Sequence, residues 1–450
     1  MFALLIAVSM APSPEALGGR ATLSGLVLDE AGRPVSGAKV VIRNARVSNA
    51  AGVLGSAYPE CGKRATADAN GRFALNGLSP SLRYDILILA KDYAPIYSEY
   101  LAPREISAKF TLKSQAKRLA QGSVLRGTVI DANGRPVAGA TVRTNGLKTG
   151  ENSLRLGALR GVDRLAVTDE QGSFALGVTD KEIPILLFVH ALQMAPLQTG
   201  PLLAGETQHE LKLGRGVTLK GTVLKDGKPV TGITLLLADK PPQLSPPSLR
   251  FETAPNIQGE FRFENVSPDR TYVLFGPMNT CYRYGVLTPR TVPVDQSGTT
   301  QDLGSLVMES GYRLSGKLVL ADGGKMPGKT TASIRKVHQD LRISEAQTTD
   351  VAADGTFRFG GLATDHATFQ VEAPGYHISP RNGSYNLLFN HDQLIGSVDR
   401  DINGLRILLE PGPAPKERSL ANLPREERIK LNREHVRRLE TPFQGIPDDK

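Results

Sequence analysis

A Leu-x-Gly tripeptide occurs four times along the chain, and its spacing constrains the domain organisation. The copies are Leu23-Ser24-Gly25, Leu125-Arg126-Gly127, Leu219-Lys220-Gly221 and Leu314-Ser315-Gly316. Their glycines follow one another at steps of 102, 94 and 95 residues. Such a period is too long for a solenoid repeat and fits one small all-β domain. The spacing therefore predicts four repeats, at residues 21–115, 121–214, 215–309 and 310–412.

Each repeat consists of short apolar runs separated by turn residues. In the first repeat Leu26–Leu28 leads into the turn Gly32-Arg33-Pro34, and Ala38–Ile42 is the next alternating run. Asp68-Ala69-Asn70-Gly71 has the composition of a tight hairpin turn, and Tyr84–Ala90 is a further apolar strand. Short strands at this spacing, with no helical period, indicate packed β-sheets. The predicted fold class is all-β, with four tandem β-sandwiches and a short C-terminal helix.

Paired phenylalanines predict which side of a strand faces the core. Phe261 and Phe263 alternate in the third repeat, and Phe357 and Phe359 alternate in the fourth. Successive side chains of a strand point to opposite faces, so the two members of each pair share one face. We expect all four rings to be buried.

The repeated motifs resemble a known domain family. Leu-x-Gly is followed by Asp-x-x-Gly-x-Pro-Val, as in Asp29–Val35 and Asp131–Val137, then by Asp-x-x-Gly-x-Phe, an apolar strand and a Gly-Tyr or Ala-Pro corner. This order is similar to that of the carboxypeptidase regulatory-like domain, a transthyretin-like or prealbumin-like Greek-key sandwich. The resemblance covers residues 21–412, although Met326-Pro327-Gly328 replaces the usual motif in the fourth repeat.

The resemblance implies a function without catalysis. Such modules are accessory or binding domains and occur in tandem on exported bacterial proteins. We therefore predict a non-enzymatic binding protein or structural spacer of the cell envelope, with an envelope protein or polysaccharide as partner. The alternatives are a carbohydrate-binding protein and an accessory subunit of an envelope peptidase or carbohydrate-active enzyme. The loop after the second strand and the corner vary between repeats, so any specificity should reside there.

Local motifs for catalysis or metal binding are absent from the sequence. A zinc peptidase needs a His-x-x-Glu pair and a third ligand. None of the seven histidines has an acidic residue three positions later, and none forms a His-x-His or His-x-x-x-His pair. Asp68–Gly71 and Asp131–Gly134 resemble the start of a calcium loop, but Arg72 and Arg135 follow where calcium would be repelled. We predict hairpin turns at these positions, with no catalytic residue, metal or cofactor.

Tyrosines are the strongest sequence indication of a binding surface. Three of them cluster at the corner of the first repeat, two lie near Cys281 and two flank a loop of the fourth repeat: Tyr93, Tyr97, Tyr100, Tyr282, Tyr284, Tyr376 and Tyr385. Exposed aromatic rings stack on sugars or on partner side chains. Tryptophan, which sugar-binding platforms favour, is absent. Corner packing is the alternative interpretation.

The two ends of the chain differ in character from the repeats. The segment Met1–Ala11 is apolar, with small residues at Ser9 and Ala11, so residues 1–20 are predicted to act as an export signal although a charged first region is missing. Residues 413–450 are predicted as a proline-rich linker and a charged helix over 424–439, with acidic residues first and arginines last. This helix is either solvated or docked on the fourth repeat or a partner.

The charge of the chain limits the classes of partner that it can bind, and its cysteine content limits the disulfides that it can form. The net charge of +9 is spread over 450 residues, and aromatic residues make up 6% of the chain. A nucleic-acid site would gather basic and aromatic residues on one face, so no nucleic-acid partner is predicted. No other run reaches the length of a membrane-spanning helix. Cys61 and Cys281 belong to different repeats, and we expect two free thiols.

Overall fold

The computed structural model describes most of the four repeats and the C-terminal helix. The described residues are 19–47, 53–55, 58–103, 108–115, 123–150, 153–156, 160–205, 207–240, 249–338, 343–386, 388, 392–414 and 423–446. The predicted export signal at 1–20 lies almost entirely outside them. The all-β class is confirmed, since strands dominate and only two helices occur among the described residues.

The chain divides into two compact units. The first contains residues 1–223, 229–274 and 290–306, and the second contains residues 224–228, 275–289 and 307–450. The first unit therefore contains the first two predicted repeats and most of the third, and the second contains residues 224–228, 275–289 and 307–309 of the third repeat together with the fourth. The division into four repeats remains a sequence prediction.

Two sheets enclose the core of the first repeat. One has the order β5-β1-β8, with β8 parallel to β1, and the other has the order β4-β2-β6-β7. The strands are β1 (Ala21–Asp29), β2 (Lys39–Arg46), β3 (Val53–Gly55), β4 (Arg64–Thr66), β5 (Arg72–Leu78), β6 (Arg83–Leu89), β7 (Ile96–Leu101) and β8 (Ala108–Leu112). Strand β3 belongs to neither of these sheets.

The second repeat has the same plan. Its sheets have the orders β13-β9-β16 and β11-β10-β14-β15, with β12 also paired to β10. The strands are β9 (Ser123–Ile130), β10 (Thr141–Gly150), β11 (Ser153–Leu156), β12 (Leu165–Val167), β13 (Ser173–Val178), β14 (Ile185–His190), β15 (Leu197–Gln198) and β16 (Gln208–Lys212).

In the third repeat one sheet has the order β18-β17-β21, with β24 also on β17, and the other has the order β23-β22-β19-β20-β3. The elements are β17 (Val217–Lys225), β18 (Lys228–Pro229), β19 (Leu235–Asp239), β20 (Arg250–Thr253), β21 (Glu260–Val266), β22 (Arg270–Phe275), α1 (Met278–Cys281), β23 (Arg290–Val294) and β24 (Thr300–Val307).

The fourth repeat forms two four-stranded sheets, β28-β25-β32-β30 and β27-β26-β29-β31. The elements are β25 (Tyr312–Leu320), β26 (Thr331–His338), β27 (Ile343–Asp350), β28 (Thr356–Leu362), β29 (Asp365–Glu372), β30 (Tyr376–Ile378), β31 (Gln393–Val398), β32 (Ile402–Pro411) and α2 (Arg425–Leu439). Phe357 and Phe359 are buried here, as Phe261 and Phe263 are in the third repeat, so the predicted core rings are confirmed.

The repeated glycine and the repeated phenylalanine are cross-strand neighbours. Each Leu-x-Gly glycine pairs with the phenylalanine of the later Gly-x-Phe motif: Gly25 with Phe73, Gly127 with Phe174, Gly221 with Phe261 and Gly316 with Phe357. A Cβ on Gly25 would lie 2.5 Å from the Phe73 ring, and the other three positions are crowded in the same way. The ring lies over the glycine backbone, and this contact explains why the two motifs recur together.

Candidate functional site

The variable loop after β2 carries the most unusual feature of the first unit. Its strand β3 pairs in parallel with β20 and adds a fifth strand to a sheet of the third repeat. Val53 aligns with Arg250, Leu54 with Phe251 and Gly55 with Glu252. Adding a strand to a sheet edge satisfies backbone groups that would otherwise need water.

Side chains of β2 hold the other edge of β3. The amide of Asn44 donates to the Val53 carbonyl at 3.0 Å and accepts from the Gly55 amide at 2.7 Å. Arg46 donates from Nη1 to the same Val53 carbonyl at 3.1 Å. Three residues alone make a marginal strand, and these bonds fix its position between the two repeats.

A buried ion pair orients these side chains. Arg46 donates to both carboxylate oxygens of Asp85, at 2.7 Å from Nη1 and 3.0 Å from Nη2. Asn44 and the Tyr100 amide also donate to Asp85. The side chains of Arg46 and Asp85 are 1% and 2% exposed, so this pair depends on complete hydrogen bonding.

A second buried carboxylate fixes the entry to the loop. Glu252, on β20, is fully buried and accepts a hydrogen bond from the Val47 amide directly after β2. A buried charge is retained only when donors compensate its desolvation. The loop therefore supplies a donor to the third repeat before β3 begins.

The second repeat also contacts the first within this unit. The guanidinium of Arg143, on β10, lies 4.6 Å from the centre of the Tyr97 ring and 5.1 Å from that of Phe188. It also pairs with Glu99 at 3.3 Å. Arg43 donates to the His190 carbonyl at 3.0 Å. Residues of two repeats thus share both polar and aromatic contacts.

A cavity of about 400 Å³ opens where the three repeats meet. Its polar lining comes from β2, from the loop after β3, from β4, from the end of β14 and the turn after it, and from β21: Arg43, Asn44, Tyr58, Cys61, Arg64, His190, Gln193, Glu264 and Asn265. Apolar residues complete it: Leu54, Leu192, Met194, Pro196 and Phe251.

The pKa values of two titratable groups at this cavity, His190 and Cys61, are shifted in the direction that favours their neutral forms. Burial, together with the neighbouring Arg43 and Arg143 charges, lowers the pKa of His190 to about 3. Burial raises the pKa of the Cys61 thiol to about 12. Both groups are neutral at pH 7, and the thiol is too weakly ionised to act as a nucleophile.

Both cysteines are free, as expected from the sequence. Cys61 is half-buried in the first unit, and Cys281 is buried in the second, where burial raises the pKa of its thiol to about 11.

The tyrosines predicted as a binding surface occupy different environments. Tyr97 and Tyr100 are half-buried on β7, beneath the guanidinium groups of Arg143 and Arg46 at 4.6 and 4.3 Å. Tyr93 is also half-buried and packs against the first core. The corner rings of the first repeat are therefore covered by their neighbours.

In the second unit the tyrosines differ in exposure. Tyr282 and Tyr284 are 36% and 37% exposed. Tyr376 is half-buried and donates to Asp322 at 2.9 Å. The expectation that Tyr385 is exposed is wrong, because its side chain is 2% exposed and belongs to the core of the fourth repeat.

In the turns that begin with aspartate, the aspartate carboxylate accepts hydrogen bonds from backbone amides of the same turn. The Oδ1 atom of Asp131 accepts from the amides of Asn133 and Arg135 at 2.8 and 2.9 Å. The same pair of bonds is made by the side chains of Asp29, Asp68, Asp169 and Asn256. Tight turns are thus confirmed at the predicted positions, but the strands on either side of Asp68–Gly71, β4 and β5, lie in different sheets, so the hairpin predicted there is wrong. Within the described residues no group of three His, Cys, Asp or Glu side chains is arranged to hold a metal ion.

The C-terminal segment docks on the fourth repeat. The predicted helix is confirmed as α2, which starts after Pro424 and ends with Arg437 and Arg438 paired to Glu434. Arg438 also donates to the Tyr385 carbonyl, and Phe443 beyond the helix is 4% exposed in the core. The sequence predicted a helix that is either solvated or docked, and it gave no sign that Phe443 is buried. No helix among the described residues is long and apolar enough to cross a membrane.

The first repeat is similar to a known domain family. A model of the carboxypeptidase regulatory-like domain matches residues 22–113. This match confirms the resemblance for the first repeat. No curated protein matches the chain.

Several solved structures share low similarity with the chain. The minor pilin GBS52 of Streptococcus agalactiae is 15% identical, with 45% of this chain and 100% of that chain covered and a TM-score of 0.25. The Bacillus anthracis TIE protein is 11% identical, with coverages of 90% and 76% and a TM-score of 0.19. The Bacillus cereus major pilin subunit BcpA is 9% identical, with coverages of 64% and 100% and a TM-score of 0.18.

Proposed function

We propose that this chain is a non-catalytic structural spacer of the bacterial cell envelope, built from carboxypeptidase regulatory-like repeats. The observation that carries the proposal is the insertion of β3 from the first repeat into a sheet of the third. Flexible tandem domains move independently unless their interface is large or specific. Here a strand of one repeat completes the sheet of another, which favours a stiff body over a flexible tether.

Contacts of the second repeat support the same function. Arg143 of the second repeat lies against the ring of Tyr97 in the first repeat and against that of Phe188 in the second. The Ser267 hydroxyl of the third repeat donates to the Pro196 carbonyl of the second at 2.8 Å. Each such contact contributes little alone, but together they restrain all three repeats. A spacer of this kind holds its exposed loops at fixed distances from one another.

Small-angle scattering and limited proteolysis test the spacer function. The full chain should give a scattering curve that one compact arrangement of the first three repeats fits, and protease should not release single repeats. Leu54→Asp places a charge where β3 packs, and should expand the protein. Ile257→Asp, at a side chain 80% exposed, is the matched control. Release of intact first, second and third repeats from the unmodified chain would contradict the proposal.

The absence of catalysis is tested separately. The purified chain should show no peptidase or glycosidase activity above that of a mock preparation. An activity that copurifies with the chain and is lost through one side-chain substitution would refute the non-catalytic assignment. Pull-down from envelope extract tests the alternative role as an accessory subunit, which requires a stoichiometric peptidase or carbohydrate-active enzyme.

Export is part of the proposed function. The apolar segment Met1–Ala11 supports it. Fusion of residues 1–25 to a β-lactamase without its own signal should give ampicillin resistance, because the enzyme acts only outside the cytoplasm. Leu5→Arg in the fusion should abolish resistance, and resistance that persists would show that this segment is not the signal.

Tyr282 and Tyr284 favour carbohydrate binding as a second function. They retain more than a third of their surface exposed, as a stacking platform requires. A glycan array should then show binding that Tyr282→Ala and Tyr284→Ala weaken, while Tyr376→Phe does not. An array without signal from the unmodified chain excludes this function.

A further inference from the structure

The cavity between the first three repeats is lined by a buried cation that forms no ion pair within the described part of the chain. Arg43 is 7% exposed and lines this cavity. A guanidinium has five N–H donors, yet within the described ranges Arg43 makes one hydrogen bond, from Nη2 to the His190 carbonyl at 3.0 Å. Among the described residues it pairs with no carboxylate. Burying an unpaired charge is costly, so the cavity lacks the partner that this arginine requires.

A second donor on the same cavity also lacks a partner. Tyr58 is 6% exposed, and its hydroxyl forms no hydrogen bond with any described residue. The Nε of Arg43 is buried and unpaired as well. Buried polar groups are normally hydrogen-bonded, so these unpaired donors mark the wall around Arg43 as incompletely satisfied, although neither atom is itself exposed to the cavity.

The charges around the cavity limit what that acceptor is. Arg43 is the one buried cation of the lining, and Arg64 is exposed. Glu264 also lines the cavity, and the carboxylates of Glu252 and Glu60 raise the pKa of Tyr58 together with its burial. These acidic groups repel a dianion about twice as strongly as a monoanion, and the single buried guanidinium balances only one negative charge, so a monoanion is favoured over a dianion.

The apolar residues of the lining indicate the chemistry of the part of the ligand that lies beside Arg43. Leu54, Leu192, Met194, Pro196 and Phe251 form an apolar surface beside Arg43. Small-molecule sites combine such surfaces with a few convergent polar groups, and a volume of about 400 Å³ is in their usual range.

We propose that this cavity binds a monocarboxylate with a small apolar body. The carboxylate accepts hydrogen bonds from the guanidinium of Arg43. The apolar body lies against Leu54, Leu192 and Phe251. Inorganic phosphate, which is divalent in part at pH 7 and has no apolar body, binds more weakly. The ligand is held without reaction, because the Cys61 thiol and the His190 ring beside it are neutral.

Isothermal titration of the full chain with benzoate and hexanoate tests this site. Benzamide has the shape of benzoate without its charge, and inorganic phosphate has charge without the apolar body. We expect benzoate or hexanoate to bind with a dissociation constant of about 1 mM or lower, and at least about tenfold more tightly than benzamide or phosphate. Hydrogen exchange should slow in residues 58–64 and 188–196 when the ligand is present.

Variants assign the binding to Arg43. Arg43→Met keeps the length of the side chain and should weaken benzoate binding at least about tenfold, whereas Tyr58→Phe removes a hydroxyl that the cavity does not expose and should change binding less than about twofold. Arg135→Met changes an exposed arginine of a turn and should leave binding unchanged. Circular dichroism checks folding. If Arg43→Met does not fold, Arg43→Lys keeps the charge and should give binding of intermediate strength.

Three results would overturn the proposal. One is benzoate and hexanoate heats no larger than those of benzamide. Another is equal benzoate affinity in Arg43→Met and Arg135→Met. The third is phosphate binding as tight as benzoate binding, which would mean a general oxyanion site. None of these results bears on the spacer function, which scattering and proteolysis test without ligand.

Discussion

Arg46 and Asp85 form a two-point ion pair in the first repeat, with Nη1–Oδ2 and Nη2–Oδ1 distances of 2.7 and 3.0 Å. The pair lies where β2, β6 and β3 meet, and Arg46 also donates to the Val53 carbonyl of β3. The ring of Tyr100 covers the guanidinium at 4.3 Å. One buried arginine therefore links the core of the first repeat to the strand that enters the third.

Removal of Asp85 should destabilise this region strongly. Asp85→Ala leaves the Arg46 charge buried and unpaired, so the free energy of opening β2 and β6 should fall by about 3–5 kcal/mol. Native-state hydrogen exchange of the full chain measures this change. The double variant Arg46→Met/Asp85→Leu removes both charges and should recover much of the loss. Equal loss in the single and double variants would show that the ion pair is not the cause.

Glu252 should control the attachment of β3. Glu252→Ala removes the buried acceptor of the Val47 amide, and that amide then loses its hydrogen bond in a partly buried setting. Exchange of the amides in residues 53–55 should become at least about tenfold faster. Glu210→Ala, at an exposed glutamate of β16, is the control and should leave these amides unchanged. Unaltered exchange in Glu252→Ala would mean that pairing with β20 suffices.

Sequence patterns predicted the strands well where the cause was local. The Gly25–Phe73 contact follows from two motifs that recur together, and turns such as Asp131–Arg135 close through bonds within five residues. Alternation placed Phe261 and Phe263 in the core because strand periodicity determines which face is buried. These features need no information about distant parts of the chain.

Features that depend on distant residues could not be predicted. Val53-Leu54-Gly55 contains no signal that its partner is β20, about 200 residues later. Tyr97 was predicted either to bind a ligand or to pack at its corner, and no sequence feature indicated that Arg143 of the next repeat covers it. The polar Arg43 gave no sign of burial, since its surroundings come from three repeats. The variable loop was predicted to hold any specificity, which remains a prediction, and its strand β3 was not predicted.

Phe443 should anchor the C-terminal segment to the fourth repeat. Its ring meets Phe369 edge-to-face with centres 6.4 Å apart, and it is 4% exposed. Phe443→Ala should lower the stability of this repeat by about 3–5 kcal/mol through lost burial and the cavity left behind. Trypsin should then cut at the arginines of α2 much faster. Ile429→Ala, at a helix residue 42% exposed, is the control and should change neither property.

His190 should make the first unit sensitive to acid. Its pKa is about 3 in the folded protein because burial and the charges of Arg43 and Arg143 disfavour protonation, whereas an unfolded histidine has a pKa near 6.5. Below pH 6.5 the unfolded chain therefore takes up a proton that the folded chain does not, and stability falls as the pH decreases towards 3. His190→Gln cannot take up this proton, so its stability should decline less.

Unfolding of both proteins at two pH values measures the effect of His190. At about pH 5 the unmodified chain should lose at most about 2 kcal/mol more than His190→Gln does, relative to pH 7.5. The comparison at pH 7.5, where His190 is neutral in both states, gives the effect of the substitution itself. Equal pH dependence in the two proteins would mean that His190 is protonated in the folded state. Arg43 would then lie beside a second cation, so the same measurement also reports on the charge of the cavity.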